Sequence, residues 1–191
     1  MAQTWVALLR GINVGGHNQV PMAMLRAAYA DSGCSSVVTY IQSGNVVLDH
    51  AETDPAVLAS RLEEAVHGAC GVDSRLVLRT GQEWAAMVDA NPFAELDPAL
   101  LNVSFLACIP DPARVAEVES RDLGPDRVRV IGRHVYAWLP DGFRAARLSG
   151  ARLERLLGPG TARNWRTVLK VTALVAGRGN GPQESGGGSS S

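Results

Sequence analysis

The sequence predicts an α+β protein built from two tandem ferredoxin-like (βαββα-type) subdomains with antiparallel sheets, plus a C-terminal helix. Three observations carry this. Over residues 5–79, apolar runs of strand length and amphipathic stretches of helix length follow the order strand, helix, strand, strand, helix, strand. A comparable order returns from residue 101 onward. The chain has 191 residues, 46% hydrophobic and 19% charged, so it is long enough to bury about 70% of its extended surface.

Residues 5–10 (Trp-Val-Ala-Leu-Leu-Arg) form an unbroken apolar run that suits a buried strand, and Gly11 to Gly16 supply loop chemistry after it. Pro21 opens a helix with Leu25, Ala28 and Tyr29 on one face, and Gly33 stops it. Residues 37–42 and 45–49 read as a hairpin around Ser43-Gly44. Asp54-Pro55 is an N-cap followed by an N1 proline, with Leu58, Leu62, Ala65 and Val66 marking the buried face. Residues 75–79 make the next strand. Thr80 and Glu83 then form a capping box for a helix carrying Trp84, Met87 and Val88, which ends near Asn91-Pro92.

In the second half, residues 101–109 read as a strand and Asp111-Pro112 caps a helix with Val115 and Val118 inward. Residues 127–131 alternate with period two, turn at Gly132-Arg133 and return over 134–139. Ser149 caps a helix with Leu153, Leu156 and Leu157, and a last helix is expected over residues 162–176. The domain division is therefore 1–80, a connecting helix and loop at 81–100, a second α+β unit at 101–176, and a disordered Gly/Ser tail at 177–191.

Composition bounds the function. Cys34, Cys70 and Cys108 are few, odd in number and widely spaced, which argues against a disulfide framework or a Cys-based metal site. No apolar run approaches the ~20 residues needed to span a bilayer, and the first residues lack a secretory signal. The expectation is a cytoplasmic protein with no membrane partner. The formal net charge of −1 hides an asymmetry: residues 127–170 carry ten basic residues against two acids, whereas residues 79–126 carry three against nine. Such a split bears on partners more than on fold. The two blocks either face each other within the molecule or leave a basic surface.

Two loops are candidates for chemistry. Arg10, Asn13, Gly15 and Gly16 lie between the first strand and the first helix, where paired glycines admit a ligand and helix N–H groups meet an anion. Gln42, Ser43 and Asn45 lie at the hairpin turn, which a βαββαβ sheet brings to the same edge. A third candidate is the helix expected from residue 162, on which Arg163, Arg166, Thr167 and Lys170 would form a basic stripe beside Asn164. No cofactor is implied, because neither GxGxxG nor a Walker sequence is present, and His17, His50, His67 and His134 lack metal-ligand spacing. The central strands also lack the aromatic platform of an RNA-recognition sheet.

Three stretches together resemble the bacterial domain of unknown function 1697 family: Leu8 to Gly16, Tyr40 to Val47, and Arg163-Asn164-Trp165 with Thr167 and Lys170. Asn91-Pro92-Phe93 and Pro140-Asp141-Gly142 are similar to further pieces of its members, so the resemblance runs to about residue 176. It implies a two-part α+β fold and no particular activity. Two departures stand out: Ala162 and Arg166 flank the Arg-Asn-Trp core where members often carry Thr and Asn, and Ala146-Arg147-Leu148 replaces a Ser-Lys-Leu run. An arginine keeps its charge and cannot act there as a base or nucleophile.

The reading that follows is a protein binding a small anionic ligand or nucleotide through Arg10, Asn13, Gly15, Gly16, Gln42, Ser43, Asn45, Arg163, Asn164 and Lys170. The alternative is a non-enzymatic nucleic-acid module using the basic C-terminal half. A third possibility is that the loops only hold the two halves together.

Overall fold

The first apolar run forms β1 (Gln3–Leu9), and Trp5 to Leu9 are all buried, so both faces of the strand are covered. Successive side chains point to opposite faces. A computed structural model, which describes residues 2–178, shows what meets each face. Trp5, Ala7 and Leu9 enter a core with Leu25 and Tyr29 of α1 (Met22–Asp31) and Leu58, Leu62 and Val66 of α2 (Pro55–Cys70). Val6 and Leu8 enter a different core on the other side.

The first sheet adds β2 (Ser35–Tyr40), β3 (Asn45–His50) and β4 (Leu76–Thr80) in the spatial order β2-β3-β1-β4, with every pairing antiparallel. Next comes α3 (Gly81–Asp89), closed by the reciprocal Thr80–Glu83 capping box that the sequence predicts. The second sheet has β5 (Leu101–Leu106), β6 (Arg127–Ile131), β7 (His134–Trp138) and β8 (Gly160–Asn164) in the order β6-β7-β5-β8, again antiparallel. Its outer face carries α4 (Pro112–Glu119) and α5 (Gly150–Leu157), and α6 (Trp165–Ala176) closes the described chain.

The two inner sheet faces share one core. Val6, Leu8, Val47 and Val77 from the first sheet meet Val103, Phe105 and Tyr136 from the second, with Trp84 and Met87 of α3 and Trp165, Val168 and Val171 of α6 filling the space around them. Trp84 and Phe105 stack in parallel at 5.1 Å, and the Tyr136 hydroxyl donates to the Met87 carbonyl at 2.6 Å. The connecting segment 81–100 is therefore more than a linker, because α3 packs into this shared core.

Three expectations need correction. The strand from residue 101 ends at Leu106, well before 109. The stretch expected to begin the last helix is instead strand β8, so the second half is a full βαββαβ unit. Ala and Arg favour helix intrinsically, but pairing of Thr161 with Phe105 and Arg163 with Val103 overrides that preference. Every β8 residue is half-buried, so no alternation announces the strand. Finally, Arg178 is held by the Asp49 carboxylate (2.9 Å) and the Val47 carbonyl (2.9 Å), with a further close contact to the Ser36 carbonyl. The rest of the expected tail, residues 179–191, lies outside the described residues.

Because one core draws on both sheets, the protein is expected to unfold in a single transition. Phe105→Ala should remove about 3–5 kcal/mol. Urea titrations followed by far-UV circular dichroism and by tryptophan fluorescence should shift together; a variant that splits the transition in two would show that the halves are independent.

Candidate functional site

The loop after β1 is shaped by residues in the left-handed region: Gly11, Asn13, Gly15, Gly16 and Asn18 all have positive φ. Asn and Gly tolerate that region best. Asn13 ties the loop together. Its Oδ1 accepts from the Val20 N–H (2.8 Å), and its Nδ2 donates to the carbonyls of Val20 (3.1 Å) and Gln42 (2.8 Å). Asn18 closes the loop by donating to the Gly11 carbonyl at 2.9 Å. The Asn13–Gln42 bond joins this loop to the hairpin turn, so the two polar loops expected to converge do so.

At the turn, a Cβ on Gly44 would lie 2.7 Å from Leu9 Cβ and 2.9 Å from Ile12 Cδ1, so only glycine lets the hairpin sit this close to β1. Asn45 is buried and donates to the Tyr40 carbonyl (3.2 Å) and Ser43 Oγ (3.0 Å). Its Oδ1 accepts from Arg163 Nε at 2.5 Å. Arg163 Nη2 donates to the carbonyls of Leu9 (2.8 Å) and Ser43 (3.0 Å), and Nη1 donates to Thr161 Oγ1 (2.6 Å) and the Ala162 carbonyl (2.8 Å). All five guanidinium N–H groups therefore have protein partners. Burial draws the Arg163 pKa down to about 10, so the group stays charged at neutral pH.

Sequence reasoning missed the counterpart of this arrangement. Arg79, 1% exposed, crosses the other way. Its Nη2 donates to the carbonyls of Leu106 (2.7 Å) and Arg133 (3.3 Å), its Nη1 to the Leu78 carbonyl (2.8 Å), and its Nε to His134 Nε2 (3.0 Å). The two arginines occupy equivalent registers: Arg79 pairs with Val6 and Arg163 with Val103. Their Nε acceptors are equivalent too, since Asn45 opens β3 opposite Leu8 and His134 opens β7 opposite Phe105. The repeat visible in element order is thus a repeat of contacts. At both places the arginine immediately precedes a helix N-cap, Thr80 in one half and Asn164 in the other.

The remaining candidates divide. Arg10 pairs with Glu154 of α5 at 2.7 Å, a further tie between the halves. Asn164 caps α6 by accepting from the Arg166 N–H (3.0 Å) and donates to the carbonyls of Ala99 (2.8 Å) and Leu101 (3.1 Å). Arg163 lies on β8, so the helical stripe linking it to Arg166, Thr167 and Lys170 does not form; Lys170 is exposed on α6. Of the basic block, Arg133 pairs with Glu83 from the acidic segment at 2.6 Å.

Gly15, Gly16 and Gln42 remain exposed. Gly16 and Gln42 border an open depression of about 580 Å³, lined by Asn13, Gly16, Gln19, Val20 and Gln42 together with Pro21 and the first residues of α1, Met22 and Ala23. Pro21 provides no side-chain cap for α1. Among the described residues, the N–H groups of Met22, Ala23 and Met24 have no acceptor.

A family model described as a protein of unknown function (DUF1697) matches residues 2–136. The chain belongs to the DUF1697 family. The family match covers β1 through the third residue of β7 and stops short of the Arg163 motif. The likeness continues in structure: the conserved bacterial protein SP0830 from Streptococcus pneumoniae superimposes with a TM-score of 0.74 at 25% identity, covering 92% of this chain and 99% of that one. No curated protein matches the chain by sequence. Among the described residues, no helix is long and apolar enough to cross a membrane, and no group of three or more His, Cys, Asp or Glu is placed to hold a metal.

Two outcomes are expected from this geometry. Arg163→Met strands several acceptors at once and should cost about 3 kcal/mol or more, with Arg163→Lys recovering only part because it lacks the fork. Acid should act through His134, whose pKa falls from 6.5 to about 3 through burial first and the neighbouring Arg79 and Arg133 charges second. Between those values the unfolded chain takes up a proton that the folded chain does not, so stability drops as pH falls through that window. His134→Gln keeps an acceptor that does not titrate. Denaturation at successive pH values should give the wild type a steeper loss than this variant from about pH 6.5 downward; parallel curves would remove His134 from the account.

Proposed function

We propose that this protein binds a small anionic ligand of the nucleotide or phosphate-ester type in the depression between the 11–20 loop, Gln42 and the start of α1. The observation that carries this reading is the uncapped α1 N-terminus opening into that depression, where three free N–H groups and the helix dipole favour negative charge. In this reading Arg163, Asn13 and Asn45 set the shape of the rim, while Gly16 and Gln42 meet the ligand, with Gly15 giving the loop its turn beside them. A rim held this firmly loses little entropy when a ligand arrives. Three free cysteines accord with the reducing cytoplasm as its compartment.

The test is a thermal-shift panel of nucleotides, sugar phosphates, carboxylates and short oligonucleotides at two salt concentrations. A ligand at a hundred times its dissociation constant adds about 2.7 kcal/mol, which raises Tm by roughly 5–10 °C here. The expected result is a salt-tolerant shift with one small anion, weakened in Gln42→Ala and in Met22→Pro. Proline at the first helical position removes one amide donor while keeping the helix, since Pro21 already has extended backbone. A shift confined to oligonucleotides at low salt would instead assign the basic C-terminal half to nucleic acid. A small-anion shift untouched by both substitutions would move the site elsewhere.

A further inference from the structure

We propose a second anion site, for a phosphate group, between the end of α4 and the start of α5. A cavity of about 250 Å³ there is lined by Arg121, Asp122, Leu123, Arg147, Leu148 and Arg152. Three arginines thus line one small space. Arg121 is paired with Glu117. Among the described residues, the side chains of Arg147 and Arg152 make no hydrogen bond or ion pair; each is engaged only through its backbone N–H, to Asp126 and to Ser149 respectively. Asp122, the one carboxylate lining the cavity, accepts from the Gly124 N–H at 2.9 Å and pairs with none of the three arginines.

With Arg121 paired to Glu117, Arg147 and Arg152 are the lining cations left without a counter-charge among the described residues, and an anion placed between them removes their mutual repulsion. Arg147 and Arg152 are both exposed, and Arg147 lies along the neighbouring backbone. Arg147 begins from a backbone N–H fixed on buried Asp126 at 3.0 Å, and its guanidinium lies against Gly124. A Cβ on Gly124 would come within 2.5 Å of Cζ and 2.7 Å of Nη2, and its φ is +59°.

The ligand chemistry follows from donor count. The unpaired guanidiniums of Arg147 and Arg152 alone present more N–H groups than the two oxygens of a carboxylate can accept, whereas a phosphomonoester brings three terminal oxygens and up to two charges. Leu123 and Leu148 on the same wall suit a small organic substituent beyond the phosphate. This site is separate from the depression at α1, and its residues take no part in the contacts there.

The experiment is calorimetric titration of the full chain with inorganic phosphate, and with acetate as the carboxylate comparison. Wild type should bind phosphate and bind acetate far more weakly. Arg147→Gln and Arg152→Gln should each weaken phosphate at this site about tenfold or more, and any phosphate binding left in the double variant should be the Gln42-dependent binding at the α1 depression. Arg147→Lys, which keeps the charge and loses the fork, should fall between; it serves if a neutral variant fails to fold. In a Gln42→Ala background, which weakens the α1 depression, Arg147→Gln and Arg152→Gln should cause the same loss as in the wild-type background. The proposal is overturned if wild type shows no binding at millimolar phosphate, if folded Arg147 and Arg152 variants bind as wild type does, if acetate matches phosphate, or if Gln42→Ala alone removes the signal.

Discussion

Two arginines crossing in opposite directions between the sheets are the constraint on which the architecture depends. A guanidinium taken from water needs each N–H satisfied, and the carbonyls at strand ends and turns supply acceptors that would otherwise be unpaired. Leu106 and Arg133 offer theirs to Arg79, and Leu9 and Ser43 offer theirs to Arg163. The apolar core shared by the sheets supplies most of the burial. It is not directional, and the arginines fix which register of one sheet meets which of the other.

The same contacts explain why the loops near α1 are well shaped despite their glycines. Gly11, Gly15 and Gly16 would cost most in conformational entropy if left to order themselves on binding. Asn13 and the hairpin turn bear that cost in the fold, and Arg163 anchors the turn from the opposite half. The shape of a surface depression in the first half is thereby coupled to a strand of the second.

Much of this was legible in the sequence. Trp5 to Leu9 forecast a strand covered on both sides, the caps at Asp54, Thr80, Asp111 and Ser149 forecast four helix starts, and topology forecast the meeting of the Asn13 and Gln42 loops. Strand β8 was not legible, because Thr161, Ala162, Arg163 and Asn164 have no apolar alternation and their place is set by a partner almost sixty residues away. The contacts of Arg163 across the two halves were hidden for the same reason. An arginine near a helix start reads as a ligand for anions, and only three-dimensional packing shows its donors already taken. Nothing local in Leu-Val-Leu-Arg-Thr tells a buried Arg79 from an edge residue reaching solvent.

The paired clasp has the form of an isologous interface, the kind two identical subunits make around a twofold axis, here contained in one polypeptide. True subunits must keep both copies identical. A single chain need not, and this one has diverged at the position that matters most chemically: the arginine Nε meets an amide oxygen at Asn45 in one copy and an imidazole nitrogen at His134 in the other. Only the imidazole can take a proton. The two hinges of an otherwise symmetric joint therefore answer differently to acid, and the molecule has a side that loosens first.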